Sequence, residues 1–249
     1  MIQRLVSAAL VAGFLASCVA TGLELALTSP LIVEAERYEG PAAHEAVRAA
    51  SGIAPARFVP AHAHGEDAQG RADAPAEWQP APGLPRMAFT GLATLVGGVG
   101  YALLLGAVML ALGRAPTPAA GLALGLAGFA TVALAPALGL PPELPGMEAA
   151  PLALRQAWWL MTVVATGLGL YLVAVRRVPL TIAGGLVLIV APHLAGAPHA
   201  AEAGSRLPAD LAAQFAARSL AIAFVFWSLI GLAYGWAWSR FGSPRTARA

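Results

Sequence analysis

The groups in this 249-residue sequence that could hold a cation are five histidines and 13 acids. Ala61-His62-Ala63-His64-Gly65-Glu66-Asp67 sets two imidazoles and two carboxylates close together. Imidazole with carboxylate and water suits Co²⁺, Ni²⁺ and Zn²⁺. A loop can wrap such an ion, although ordering the chain opposes binding. A solvated polar loop is the plainer alternative. A second pair stands in Pro192-His193-Leu194-Ala195-Gly196-Ala197-Pro198-His199. On one unbroken helix, imidazoles six residues apart point away from each other. Pro192, Gly196 and Pro198 predict a helix break here. A broken end would let His193 and His199 turn toward one ion; the alternative is a histidine satisfied by a neighbouring carbonyl. Two acids complete the candidates. Glu24 lies on a stripe of Gly13, Ser17, Thr21, Glu24 and Thr28. Such a stripe either lines an ion path or is a packing face of small residues. Glu143 sits in Pro141-Pro142-Glu143-Leu144-Pro145-Gly146. Three prolines stiffen that turn, which either presents the carboxylate or makes a corner between helices.

Composition says what must position these groups. Hydrophobic residues make up 58% of the chain and charged residues 11%, against about 25% charged in soluble domains. With a mean hydropathy of +0.70, the chain reads as a polytopic membrane protein rather than a soluble enzyme. All 15 basic residues are Arg. The absence of Lys excludes a P-loop and Schiff-base chemistry. A single cysteine, Cys18, excludes an internal disulfide or a CxxC site. The sparse net charge of +2 gives no case for nucleic acid. HExxH and GxSxG are both absent, so no enzymatic activity and no tightly bound cofactor are expected.

Six uncharged apolar runs predict an all-α bundle of about six transmembrane helices in a single membrane domain, residues 1–249. The expected spans are roughly 5–27, 87–113, 119–140, 155–175, 178–198 and 216–239, each near the length that crosses a bilayer. None alternates with period 2, which disfavours a β-barrel. From Val178, a helix reaches His193 after about 22 Å, at a depth where an ionisable group is costly and suggests function. Gly121-x-x-x-Gly125 and Gly231-x-x-x-Gly235 read as packing faces. Trp236 and Trp238 read as an interfacial belt. Ser29-Pro30 reads as the start of a separate short helix, Leu31 to Gly40, lying on the outer surface.

Arginine placement orients the bundle. With the N-terminus cytoplasmic, Arg4, Arg114, Arg176, Arg177, Arg240, Arg245 and Arg248 fall inside with no acid among them. Every acid and every histidine falls on the other side. Both termini are therefore expected in the cytoplasm and the loop 28–85 in the periplasm. Within that loop, Gly52 to Gly83 is Ala, Pro, Gly and charge, with little to bury. A competing reading takes Leu15-Ala16-Ser17-Cys18 as a lipobox cleaved before Cys18. Against it, the apolar run continues past the cysteine to Leu27.

Several motifs, taken together, carry a family resemblance. They are Ser29-Pro30-Leu31-Ile32-Val33-Glu34-Ala35-Glu36-Arg37-Tyr38-Glu39, the acidic His-containing loop, and Ala133-Leu134-Ala135-Pro136-Ala137-Leu138-Gly139-Leu140 running into Pro141-Pro142-Glu143-Leu144-Pro145-Gly146-Met147. Arg155-Gln156-Ala157-Trp158-Trp159 and the Pro192-His193, Pro198-His199 pair complete them. In these pieces and their order the sequence resembles the CbtA family of cobalt transporter subunits. The resemblance implies cobalt uptake linked to cobalamin supply at the bacterial inner membrane. It also implies Co²⁺ as the transported ion and a small single-helix CbtB-type partner. This chain departs in its outer loop, which holds only His44, His62 and His64 where relatives often have a richer run. The reading that follows is a permease subunit in which His62 and His64, with Glu66 and Asp67, collect the metal. His193, His199, Glu143 and Glu24 then form the uptake site. The alternatives are a non-transporting scaffold or regulatory subunit, and a permease for nickel or another divalent metal.

Overall fold

The computed structural model describes residues 1–38, 80–81, 83–200 and 207–241. His44, His62, His64, Glu66 and Asp67 lie outside the described residues. Within them every regular element is helical. There are six rods: α1 Ile2–Tyr38, α2 Leu84–Ala111, α3 Pro118–Ala137, α4 Leu152–Arg176, α5 Pro179–Ala195 and α6 Ala209–Arg240. All but α5 are long and apolar enough to cross a membrane. At 17 residues, α5 is about 26 Å long, a shortfall that bilayer thinning accommodates at modest cost.

Two ends differ from the sequence reading. The expected separate helix at Ser29-Pro30 is instead a continuation of α1. A π turn over Glu24–Thr28 precedes it, with the Ser29 N–H bonded to the Glu24 carbonyl. The turn shifts the hydrogen-bond ladder by one residue just before Pro30, whose missing N–H then falls where the ladder is already interrupted. In α5 the chain stays helical through Pro192 and stops at Ala195. Loss of one donor near a C-terminus is tolerable, and Gly196 at φ +85° ends the helix by leaving the right-handed region.

The interior is built from small side chains. α1 buries Ala8, Ala9, Ala12, Gly13, Ala16, Ser17 and Ala20, while Leu10, Phe14, Leu15 and Val19 point outward. A soluble protein does the reverse; lipid is as apolar as leucine, so close backbone approach holds membrane helices together. α1 packs on α2 and α6, α3 packs on α6, and α4 packs on α3 and carries α5 at the edge of the bundle. The α3–α6 seam joins the two GxxxG motifs. A Cβ on Gly121 would lie 2.1 Å from the Gly231 carbonyl oxygen, and one on Gly231 would lie 2.2 Å from that of Gly121. Gly125 faces the Trp227 carbonyl and Gly235 that of Thr117. Gly13 meets α2 at Gly98 and Val99, and Gly169 meets Gly185 across α4 and α5.

The start of α1 meets the end of α6. Arg4 donates through Nε to the Trp238 carbonyl at 2.9 Å and lies 4.3 Å over the Trp238 ring. The first and last rods thus begin and finish at one end of the bundle. Glu24, Glu36 and Glu143 mark the opposite, acidic end.

Candidate functional site

On α2, Arg86, Thr90 and Thr94 recur every four residues and share one face. That face lines a cleft of about 900 Å³, whose other walls include Glu24, Thr28 and Ile32 of α1, Trp159 of α4, and Phe226 and Trp227 of α6. Two polar links join α1 to α2 along it. Thr94 Oγ1 donates to Glu24 Oε2 at 2.9 Å. Nearer the acidic end, Arg86 Nη2 donates to Glu36 Oε1. Arg86 and Thr94 are separated by about 12 Å along the helix. The Thr28 hydroxyl turns back to the Glu24 carbonyl at 2.9 Å, so it steadies the π turn rather than the carboxylate.

A second cavity of about 640 Å³ adjoins the first, sharing Val132, Ala133, Trp159, Ser219 and Ala223 with it. Its polar wall is Glu143, Arg155 and Gln156. Arg155 Nη2 donates to Glu143 Oε2 at 2.6 Å. Val132 and Ala133 belong to another π turn, Phe129–Leu134. Two π turns, one in α1 and one in α3, therefore shape the walls of one continuous cleft. Arg218 of α6 donates at 2.9 Å to the Leu27 carbonyl, inside the α1 turn.

The proposed ligands fall in different places. Glu24 and Glu143 line the two joined cavities. His193 sits in the last turn of α5, its ring edge-on to Trp158 at 6.0 Å between centroids. His199 lies beyond the helix and is exposed. Neither histidine lines either cavity. Among the described residues no three His, Cys, Asp or Glu side chains gather as a metal cage. What the cleft offers a cation is a carboxylate, a threonine hydroxyl and room for water, a set suited to a partly hydrated divalent ion.

The small residues of the α1 stripe serve packing: Gly13 touches α2, and the Ser17 hydroxyl donates to the Thr94 carbonyl at 2.9 Å. Glu24 alone turns its charge to the cleft. The sequence reading missed Arg86, Thr90 and Thr94, although their four-residue spacing in an otherwise apolar run was the available signal. It also missed Trp159, which stands where the two cavities meet.

Apolar rods with small residues inside, large apolar side chains outside and a carboxylate-bearing cleft at one end define a polytopic helical membrane protein. The model of the CbtA family, described as a probable cobalt transporter subunit, matches residues 2–239. The chain belongs to the CbtA family. No curated protein and no solved structure matches it. The family suggests a cobalt transporter subunit with Co²⁺ as its cargo, a role that is not enzymatic, and the word subunit implies a partner complex.

Proposed function

We propose that this chain is the membrane-spanning subunit of a Co²⁺ uptake system linked to cobalamin supply, and that the cleft between α1 and α2 is the path by which the ion enters the bundle. In this reading both termini are cytoplasmic, the bundle lies in a bacterial inner membrane, and the acidic end and the segment joining α1 to α2 face the periplasm. His62 and His64 of the loop, with its acids, raise the local metal concentration. His193 and His199 assist at the rim, beside a small single-helix partner of the CbtB type. Glu143 is held by Arg155, so it serves the ion by shaping the second cavity.

The observation that carries the reading is Glu24, a carboxylate on a membrane-spanning rod, aimed into a cleft and fixed by Thr94. Ionisable groups at such places are costly and mark ion paths. Cobalt accumulation in cells expressing the chain with its partner tests it. Glu24→Gln keeps the hydrogen-bonding shape and removes the charge; uptake is expected to fall at least tenfold at unchanged membrane abundance. Unaltered uptake rejects the cleft as the path. A His193→Ala, His199→Ala variant tests the rim in the same assay, and unchanged accumulation removes those two residues from the route. Purified protein in liposomes, with and without the partner, separates a permease from a scaffold. Transport by the chain alone supports the former.

A further inference from the structure

We infer that Arg86 sets the electrostatic toll at the cleft mouth, and that Glu36 is the positioning residue that keeps this mouth passable to cations. The inference rests on the proposal that a cation enters here, and its first readout needs no cobalt.

Arg86 lies on the cleft wall, one turn beyond Thr90 and two beyond Thr94 on the same helix face. Anything moving from the acidic end toward Glu24 along this face passes it. A guanidinium stays charged at any physiological pH. Unpaired, it would repel a divalent ion in a cleft whose apolar walls focus its field. Glu36, near the end of α1, accepts from Arg86 Nη2 and does not itself line the cavity. The carboxylate therefore stands behind the arginine and cancels its charge without offering the cation a competing ligand inside. Both members of the pair remain partly exposed, and exposed pairs add little to stability. Removing Glu36 should leave the fold in place and switch the mouth from neutral to positive. Removing Arg86 should leave Glu36 as an added attraction for cations.

The test uses the full chain in membrane vesicles, with Cys18→Ser and Thr90→Cys placing a single thiol just inside Arg86. Its alkylation rate is measured with a trimethylammonium-ethyl and with a sulfonatoethyl methanethiosulfonate. At low ionic strength, Glu36→Gln is expected to shift the ratio of the two rates about tenfold toward the anionic reagent, as one unpaired charge at this range implies. Arg86→Gln should shift it toward the cationic reagent. The Glu36→Gln, Arg86→Gln double variant should return within about twofold of the parent. An unchanged ratio in Glu36→Gln overturns the inference. So does a double variant as altered as Glu36→Gln, which would make the pair structural, and so does a thiol that neither reagent reaches. With the native Cys18 and Thr90 restored, the same variants should raise the KM for Co²⁺ in Glu36→Gln and recover it in the double variant. If the reagent ratios behave as stated while the parent chain and its partner take up no cobalt, the transport proposal fails and the charge assignment at the mouth stands.

Discussion

Substituting Ala at Gly121 or Gly231 tests the packing that holds the cleft's far wall. A Cβ at Gly121 would stand 2.1 Å from the Gly231 carbonyl oxygen, where real Cβ atoms keep at least 3.0 Å. The obstacle is backbone, so α3 and α6 must separate by roughly 0.9 Å at the crossing. A gap of that size forfeits about a quarter to a half of each dispersion contact across it. Overpacking of this kind costs about 1–3 kcal/mol. Gly97 is the control, since a Cβ there meets nothing within 4 Å. Stability would be followed by SDS titration of the protein in mild detergent, with tryptophan fluorescence as the signal, because Trp227 lies in the seam with its carbonyl against Gly125. Gly121→Ala and Gly231→Ala should each unfold at lower SDS, while Gly97→Ala stays within about 0.5 kcal/mol of the parent. The two substitutions relieve themselves by the same movement, so the double variant should cost clearly less than the sum. If the seam variants match Gly97→Ala, or if their costs simply add, the direct backbone contact is wrong.

Two further outcomes follow from the same geometry. Gly169→Val places bulk against the Gly185 carbonyl and Ile189; because α5 packs chiefly on α4, it should raise protease sensitivity around residues 196–200 while leaving the Gly121 seam intact, and uniform destabilisation of the whole bundle would contradict this arrangement. Cys18 is exposed on α1 beside the outward-facing Leu15 and Val19. In intact membranes a polar maleimide should leave it unmodified, since a polar reagent does not enter the hydrocarbon that the outward face of α1 meets; SDS should then make it reactive. Ready labelling before SDS would remove α1 from the lipid, and a thiol that stays blocked after SDS would point to lipobox processing.

How much could be read in advance divides along physical lines. The rods were legible because crossing a bilayer demands long uncharged runs, and Arg86, Arg114, Arg155 and Arg240 punctuate them. The GxxxG faces were legible as motifs; that each is the other's partner was not, because spacing along one helix carries no information about which neighbour it meets. Ser29-Pro30 misled for a local reason: the same dipeptide that starts a helix also tolerates a π turn directly before it. Of Pro192, Gly196 and Pro198, which together predicted a break, it is Gly196 that ends the helix, because proline near a C-terminus forfeits only one bond. The cleft was invisible in the string. Its walls come from five of the six rods, and the Glu24–Thr94 link joins residues 70 apart.

Both π turns at the cleft are followed by proline, Pro30 after one and Pro136 after the other. Irregular backbone is tolerated at membrane depth only where protein or a water-filled cavity satisfies the freed groups. Here the Thr28 hydroxyl and the Arg218 guanidinium reach carbonyls of the α1 turn, and the cleft itself opens beside both turns. A plain α-helix would satisfy the backbone more simply, yet a one-residue bulge rotates every side chain beyond it by about 100°. In α1 that rotation lets one rod aim both Glu24 and Glu36 toward α2 although they are twelve residues, a little over three α-helical turns, apart. Without it, a carboxylate at position 36 would point away from Arg86 once Glu24 was set on Thr94. The bulge is therefore the element that allows the inner carboxylate and the charge pair at the mouth to share a single cleft.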